Sequence, residues 1–330
     1  MSVLVTGGAG YIGSHMVWRL VGSGETTVVL DNLVSGFDWA VAPEAKFVMG
    51  DCGDRNLVAR LIDEHSIDAI IHFAGSVVVP DSVSDPLAYY MNNTVRAHAL
   101  IESAVKGGVR HLIFSSTAAV YGTPAVTPVA EDARLAPESP YGRSKMMVEM
   151  MLADTAAAHD FTYTALRYFN VAGADPDGRT GQSTRGATHL IKVACEAALG
   201  KRGEMVVYGT DYPTPDGTCV RDYIHVTDLV AAHADALGHL RSGGGSLIAN
   251  CGYGRGFSVL EVLDTVKSVS GRDFKVTFGE RRPGDPVSIV ASPALIKKQF
   301  GWQPQHDDLN EIVKNALDWE VSLSRRNRRE

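Results

Sequence analysis

Two alternating patterns of apolar and polar positions run through the first half of the chain. Short stretches rich in Val, Ile and Leu are apolar at nearly every position, as strands buried on both faces are. They fall at residues 2–6, 27–30, 46–49, 67–73, 111–115 and 161–167. Between them, apolar residues recur at helical spacing, at about 12–21, 56–65, 86–106 and 146–158. Strands alternating with helices predict a parallel sheet covered on both faces. The expected fold is α/β: a Rossmann-like, doubly wound parallel sheet, then a smaller C-terminal substrate domain. The polar, Gly-rich stretch at 173–186 marks the boundary. Residues 1–175 are thus read as the dinucleotide-binding domain and 176–330 as the substrate domain. Past the boundary the pattern loosens, although residues 222–240 read as a strand followed by a helix.

Several strand ends carry residues suited to ligand binding. The first strand runs directly into Gly7-Gly8-Ala9-Gly10-Tyr11-Ile12-Gly13. A Gly-rich turn between strand and helix lets backbone approach a pyrophosphate at the helix N-terminus. The second strand ends in Asp31, followed by Asn32 and placed eighteen residues after Gly13. A carboxylate there accepts ribose hydroxyls and repels a 2′-phosphate, which favours NAD over NADP. Asp51-Cys52, Phe73-Ala74-Gly75 and Ser115-Ser116-Thr117 end the next three strands. Ligands bind at the carboxyl edge of such sheets, so these residues are candidates for one site.

The stretch Ser139-Pro140-Tyr141-Gly142-Arg143-Ser144-Lys145 opens a predicted helix, with Ser139 as cap and Pro140 at the first position. Tyr141 and Lys145, four apart, share a face. A phenol ionising near pH 7 needs roughly 4 kcal/mol of help. A cation about 5 Å away supplies roughly 3 kcal/mol at an effective dielectric of 20. The helix N-terminus adds a few tenths to about 1 kcal/mol. The pair is therefore a candidate acid/base.

Composition is that of a globular protein, 45% hydrophobic and 21% charged. A net charge of -7 argues against non-specific nucleic-acid binding. The basic run at residues 325–329 reads as a solvated helix end. No apolar run is long enough to span a membrane, and the opening residues read as a core strand rather than a leader. Cys52, Cys195, Cys219 and Cys251 are scattered, as expected of reduced thiols in a cytoplasmic protein. The histidines lack ligand spacing, so no metal is expected.

The glycine spacing, the Ser/Thr cluster and Tyr141-x-x-x-Lys145 together resemble the extended short-chain dehydrogenase/reductase family. Within it, the chain is similar nearly end to end to the UDP-glucose 4-epimerases. Stretches that carry this include Asp31-Asn32-Leu33, residues 114–122, Arg167-Tyr168-Phe169-Asn170-Val171-Ala172-Gly173, residues 209–214 and residues 216–226. The resemblance implies a bound NAD that oxidises a UDP-hexose at C4 and re-reduces it on the opposite face. Tyr141, Lys145 and Thr117 are then catalytic. Gly7, Gly10, Tyr11, Ile12, Gly13, Asp31, Asn32, Asp51, Cys52, Phe73, Ala74, Gly75, Asn92, Ser115, Tyr141, Lys145 and Tyr168 face the cofactor. Thr117, Asn170, His189, Leu190, Val206, Tyr208, Arg221, Tyr223, Arg282 and Asp285 face the UDP-sugar, the arginines gripping its pyrophosphate. Related dehydratases carry an acid just after the Ser/Thr, where this chain has Ala118 and Ala119. His189 stands where an Asn is usual, and Val77 where a lysine often sits near the cofactor. By the same resemblance, residues 222–240 return to pack on the first domain, and a homodimer forms through helices 86–106 and 141–159.

Overall fold

The computed structural model describes residues 1–282 and 285–326, with side chains through Ser324. The basic run at 325–329 lies outside the described side chains. Seven strands build the main sheet, all parallel. In chain order the first six are β1 (Ser2–Thr6), β2 (Thr26–Asp31), β3 (Lys46–Met49), β4 (Ile67–His72), β5 (His111–Thr117) and β6 (Thr162–Tyr168). A second lobe supplies β7 (Asn170–Ala172), β8 (Met205–Tyr208) and β9 (Val220–His225). The chain then returns with β10 (Leu247–Cys251), which pairs with β6 as the seventh strand of the main sheet. Short strands β11 (Gly256–Ser258), β12 (Val276–Gly279) and β13 (Ser288–Ile289) complete the second lobe.

The strand order is β10-β6-β5-β4-β1-β2-β3. The chain leaves β1 in one direction and later resumes at β4 on the other side. That reversal opens a crevice between β1 and β4 at their carboxyl ends, where doubly wound sheets bind ligands. The central strands are buried throughout because both faces are covered. Helices Arg55–His65, Arg96–Lys106 and Pro140–Ala158 cover one face, through Val58, Leu61, Leu100, Ala104, Val148 and Leu152. Helix Tyr11–Gly22 covers the other, beside Val226–Arg241, through Met16, Val17, Leu20, Val230, Leu237 and Leu240.

The predicted helix at 86–106 is not uniform. It begins as Pro86–Tyr89, passes through a π-helical segment at Tyr90–Val95, and continues as Arg96–Lys106. The wider turn, a feature common at functional sites, lets two consecutive side chains reach one target. Asn92 Nδ2 donates to Ser76 Oγ (2.8 Å), while Asn93 Oδ1 accepts from the Ser76 amide (2.7 Å). Periodicity alone does not distinguish such a segment from ordinary helix. β5 also runs two residues beyond its expected end, and its register carries Ser116 opposite Arg167 and Thr117 opposite Tyr168.

Candidate active site

Sterics at the crevice explain the glycine loop. Gly7 has φ +73, and a Cβ there would lie 2.6 Å from the Ala74 nitrogen. A Cβ at Gly13 would lie 2.1 Å from the Gly7 carbonyl oxygen. Loop and first helical turn therefore meet as bare backbone. Gly10 caps that helix without a side chain, so the first-turn N–H groups are left to a ligand. Across the crevice, Phe73 and Ala74 donate their amides to the Thr6 carbonyl at 2.9 and 3.1 Å.

At the end of β2, Asp31 is buried. Its Oδ2 accepts from the Ala9 amide (3.0 Å) and its Oδ1 from the Leu33 amide (2.8 Å). The carboxylate is thus aimed beside the glycine loop, with lone pairs to spare for hydroxyl donors. Asn32 is exposed. Asp51 sits farther along the edge, accepting from the Gly53 amide (2.8 Å) and pairing with Arg96 (2.9 Å). Arg96 also holds Asn92. Burial, then the Asp51 charge, pushes the Cys52 thiol up to about 12, so it is an inert wall. Tyr11 and Ile12 open the first helix, and the Tyr11 hydroxyl donates to the Gly173 carbonyl (2.7 Å). Gly75 lies between Asn93 and Lys145: a Cβ there would meet Asn93 Oδ1 at 3.1 Å and Lys145 Nζ at 3.5 Å.

Helix Pro140–Ala158 starts as expected, with Ser139 Oγ accepting from the Gly142 amide (3.2 Å). A Cβ at Gly142 would lie 2.6 Å from the Ala119 carbonyl oxygen. Glycine therefore permits the close approach that brings Tyr141 against the end of β5. Burial holds the Tyr141 phenol above the ordinary value, and only the neighbouring Thr117 side chain opposes this. This differs from the sequence argument, which gave Lys145 the task of pulling the phenol down. The Lys145 ammonium lies instead on the Ser115 carbonyl (3.1 Å) and 4.9 Å from the centre of the Phe114 ring. Burial lowers its pKa to about 8, with the charge of Glu149 opposing. The Ser115 hydroxyl shares a 2.6 Å bond with that of Tyr168.

The second lobe brings the remaining candidates to β7, β8, β9 and the loops beside them. Asn170 and Tyr223 pair in register. His189 occupies the position before the helix that begins at Leu190, without a side-chain bond to it. Arg221 NH1 donates to the Val220 and Pro286 carbonyls, both at 2.8 Å, and NH2 reaches Asp285 at 3.5 Å. Arg282 stacks on the exposed Tyr208 ring, 3.9 Å from its centroid. Val206 lies two residues earlier on β8. The next residue of β9, the fully buried Asp222, accepts from the Tyr253, Gly254 and Ala291 amides. These bonds fix the strand that presents Arg221.

Sequence reasoning did not single out Ser76, Asn93, Glu149 or Asn250. Asn93 joins the end of β4 to helix Pro140–Ala158: its Nδ2 donates to the Ser76 carbonyl (3.0 Å) and to Ser144 Oγ (3.1 Å). The one signal available was Glu149, four residues beyond Lys145 and so on its face. Among the described residues, no cluster of His, Cys, Asp or Glu could hold a metal. No helix there is long and apolar enough to cross a membrane.

A dinucleotide cradle beside a buried Tyr-Lys-Thr cluster defines a dehydrogenase-type enzyme of the doubly wound class. Residues 3–252 match the family model described as the NAD dependent epimerase/dehydratase family, and the chain belongs to that family. NAD is its cofactor, and the bare loop and Asp31 fit it. The chain is 55% identical to a UDP-glucose 4-epimerase of Azospirillum brasilense, covering 97% of this chain and 92% of that one. It is 44% identical to the crystal structure of UDP-glucose 4-epimerase from Brucella ovis in complex with NAD, with a TM-score of 0.94 and coverage of 96% and 97%. It is 47% identical to the UDP-Glc/GlcNAc 4-epimerase structure from Campylobacter jejuni, with a TM-score of 0.86 and coverage of 97% and 99%.

Proposed function

We propose that this enzyme interconverts UDP-glucose and UDP-galactose by transient oxidation at sugar C4, the sugar turning over before it is reduced again. The observation that carries the reading is the buried Tyr141 beside Thr117, followed by Ala118 and Ala119, which offer no acid for eliminating a hydroxyl. Relatives named UDP-glucose 4-epimerase along nearly the full chain support it. When bound, NAD supplies the reversible two-electron oxidation.

The protein's own residues do the rest. Tyr141 takes the proton from the 4-hydroxyl and returns it, and Thr117 bonds the same oxygen and relays the proton. The Lys145 ammonium holds the nicotinamide ribose, and Thr117 favours the phenolate that forms. The glycine loop and first helical turn bind the pyrophosphate, and Asp31 the adenosine ribose. Arg221 and Arg282 grip the UDP, leaving the hexose loosely held. A pocket that fitted one hexose face tightly would favour one epimer and stall the reversal.

A coupled assay converting UDP-galactose to UDP-glucose tests this directly; no conversion by cofactor-loaded protein sinks it. Because the cycle regenerates its cofactor, the purified protein should release near-stoichiometric NAD or NADH on denaturation. Dialysed protein that is empty would contradict retention, and the exposed Val77 makes that the sterner trial. A cytoplasmic homodimer completes the reading. Leu87, Met91 and Val95 are exposed at four-residue intervals on one side of the catalytic cleft's flanking helix, and Met147 and Met150 are exposed on helix Pro140–Ala158. Sedimentation at the monomer mass would exclude the dimer.

A second reading has one observation behind it. Counting four beyond Asp285 gives Ile289, with Ser288 beside it, where the resemblance places the wall of the hexose 2-position. Neither has the bulk of a tyrosine. Ile289 is buried against Ala118, Val120, Tyr121 and Val129, whereas Ser288 is half-buried. Room for an acetamido group is therefore best sought at Ser288, and secondary turnover of UDP-N-acetylglucosamine would support it.

A further inference from the structure

One buried ion pair stands directly behind the reacting residues. Glu149 and Arg167 are each 3% exposed. Arg167 donates from Nε to Glu149 Oε1 (3.0 Å) and from NH2 to Oε2 (2.6 Å). Oε1 also accepts from the Ser116 hydroxyl at 2.5 Å. Ser116 precedes Thr117, and Glu149 lies one helical turn beyond Lys145. A single carboxylate thus touches the strand that carries one catalytic residue and the helix that carries the other two. Its guanidinium partner continues the chain of bonds: Arg167 NH1 donates to Tyr121 Oη (2.9 Å), and Tyr121 donates to Asn250 Oδ1 (2.7 Å). Asn250 pairs in register with Arg167 on the neighbouring strand and donates to the Val129 carbonyl (2.8 Å). The network spans β5, β6 and β10.

A buried ion pair is no guarantee of stability, since apolar residues of equal volume often serve as well. The placement here points to a second purpose. We propose that Glu149 is a positioning residue: one helical turn beyond Lys145, it stands as the buried counter-charge to that ammonium, and its bonds to Ser116 and Arg167 hold Thr117 in register with Tyr141 and Lys145. The proposal rests on the function given above. Around the Lys145 ammonium, β5 presents the Ser115 carbonyl and the Phe114 ring, and β4 presents His72. Gly75 separates it from Asn93 of the π-helical segment, and Glu149 comes from its own helix. Burial drives His72 down to about 3, so it is neutral at working pH. Arg167 is committed to the carboxylate. Glu149 is the anion that acts on Lys145.

The test reads Lys145 through stability as well as activity. Its folded pKa, about 8, is below the ordinary lysine value. Between those two values the unfolded chain keeps a proton that the folded chain has shed, so stability contributed by this group rises with pH across that window. Unfolding free energy is measured from pH 6 to 10.5 in cofactor-free protein, with Lys145→Met as the reference. The difference curve isolates Lys145. In Glu149→Gln, referenced to its own Lys145→Met counterpart, the rise should begin about one pH unit lower. The loaded enzyme should lose activity on the alkaline side at correspondingly lower pH, with kcat down at least about tenfold and KM little changed. If Glu149→Gln does not accumulate folded, Glu149→Gln/Arg167→Met removes both charges, and a smaller shift in the same direction is expected, because the lost Arg167 cation opposes the lost carboxylate. An unmoved onset overturns the proposal and leaves the pair purely structural. Should the wild type fail to epimerise UDP-galactose, the function is wrong, yet the unfolding curves still decide what Glu149 does.

Discussion

The carboxyl edge of the main sheet and the second-lobe cluster that faces it are built on opposite principles. At the sheet edge, Tyr141, Lys145, Thr117, Ser116, Glu149 and Arg167 are all nearly out of solvent. Nearly every polar atom there answers to a protein partner, so its charges interact through a low effective dielectric and reorganise little. In the second lobe, Tyr208 is 38% exposed, and Arg282 lies on its ring in the open. Arg221 is committed to backbone carbonyls and only distantly to Asp285. The first region is organised in the protein alone; under the proposed function, the second gains order from the nucleotide it would bind. The difference suits an enzyme that must fix the reacting oxygen while letting a sugar turn beneath a tethered nucleotide.

The largest effect that could break this contrast is at Tyr141. Tyr141→Phe should lower kcat by about 10²- to 10⁴-fold with KM little changed. Near-normal turnover would place the base elsewhere. Arg282→Ala should do the opposite, raising KM about tenfold through a lost charged contact while kcat holds. A loss confined to kcat would show that the open cluster takes part in the chemistry after all. Asp31→Ala should narrow the preference for NAD over NADP by about tenfold, measured as a ratio of affinities in stripped protein. An unchanged ratio removes its ribose role. The smallest effect concerns the hexose wall. Ser288→Tyr should abolish whatever turnover of UDP-N-acetylglucosamine the wild type shows, while sparing UDP-galactose. If the wild type shows none with either N-acetylated sugar, that account of the pocket fails.

Much of this was legible from the chain alone. Buried parallel strands are apolar at every position, so β1 to β6 announced themselves, most to within two residues. The glycine loop, Asp31 and the Ser139-capped helix are local devices whose function is set by neighbours in sequence. Tyr141 and Lys145 share a face by helical geometry alone. What the sequence could not decide depends on residues far apart meeting. β10 joins the main sheet from residues 247–251, across a lobe boundary that composition does not mark. The π-helical turn that sends Asn92 and Asn93 to the same serine is invisible to a 3.6-residue period. The pKa of Tyr141 was argued from one nearby cation, yet burial and Thr117 govern it, because desolvation is a property of the packed interior and not of spacing. The bonds from Glu149 to Ser116 and Arg167 link residues 18 and 33 positions apart. Only the folded sheet, with Ser116 and Arg167 in register and a helix laid over them, turns those separate residues into one unit.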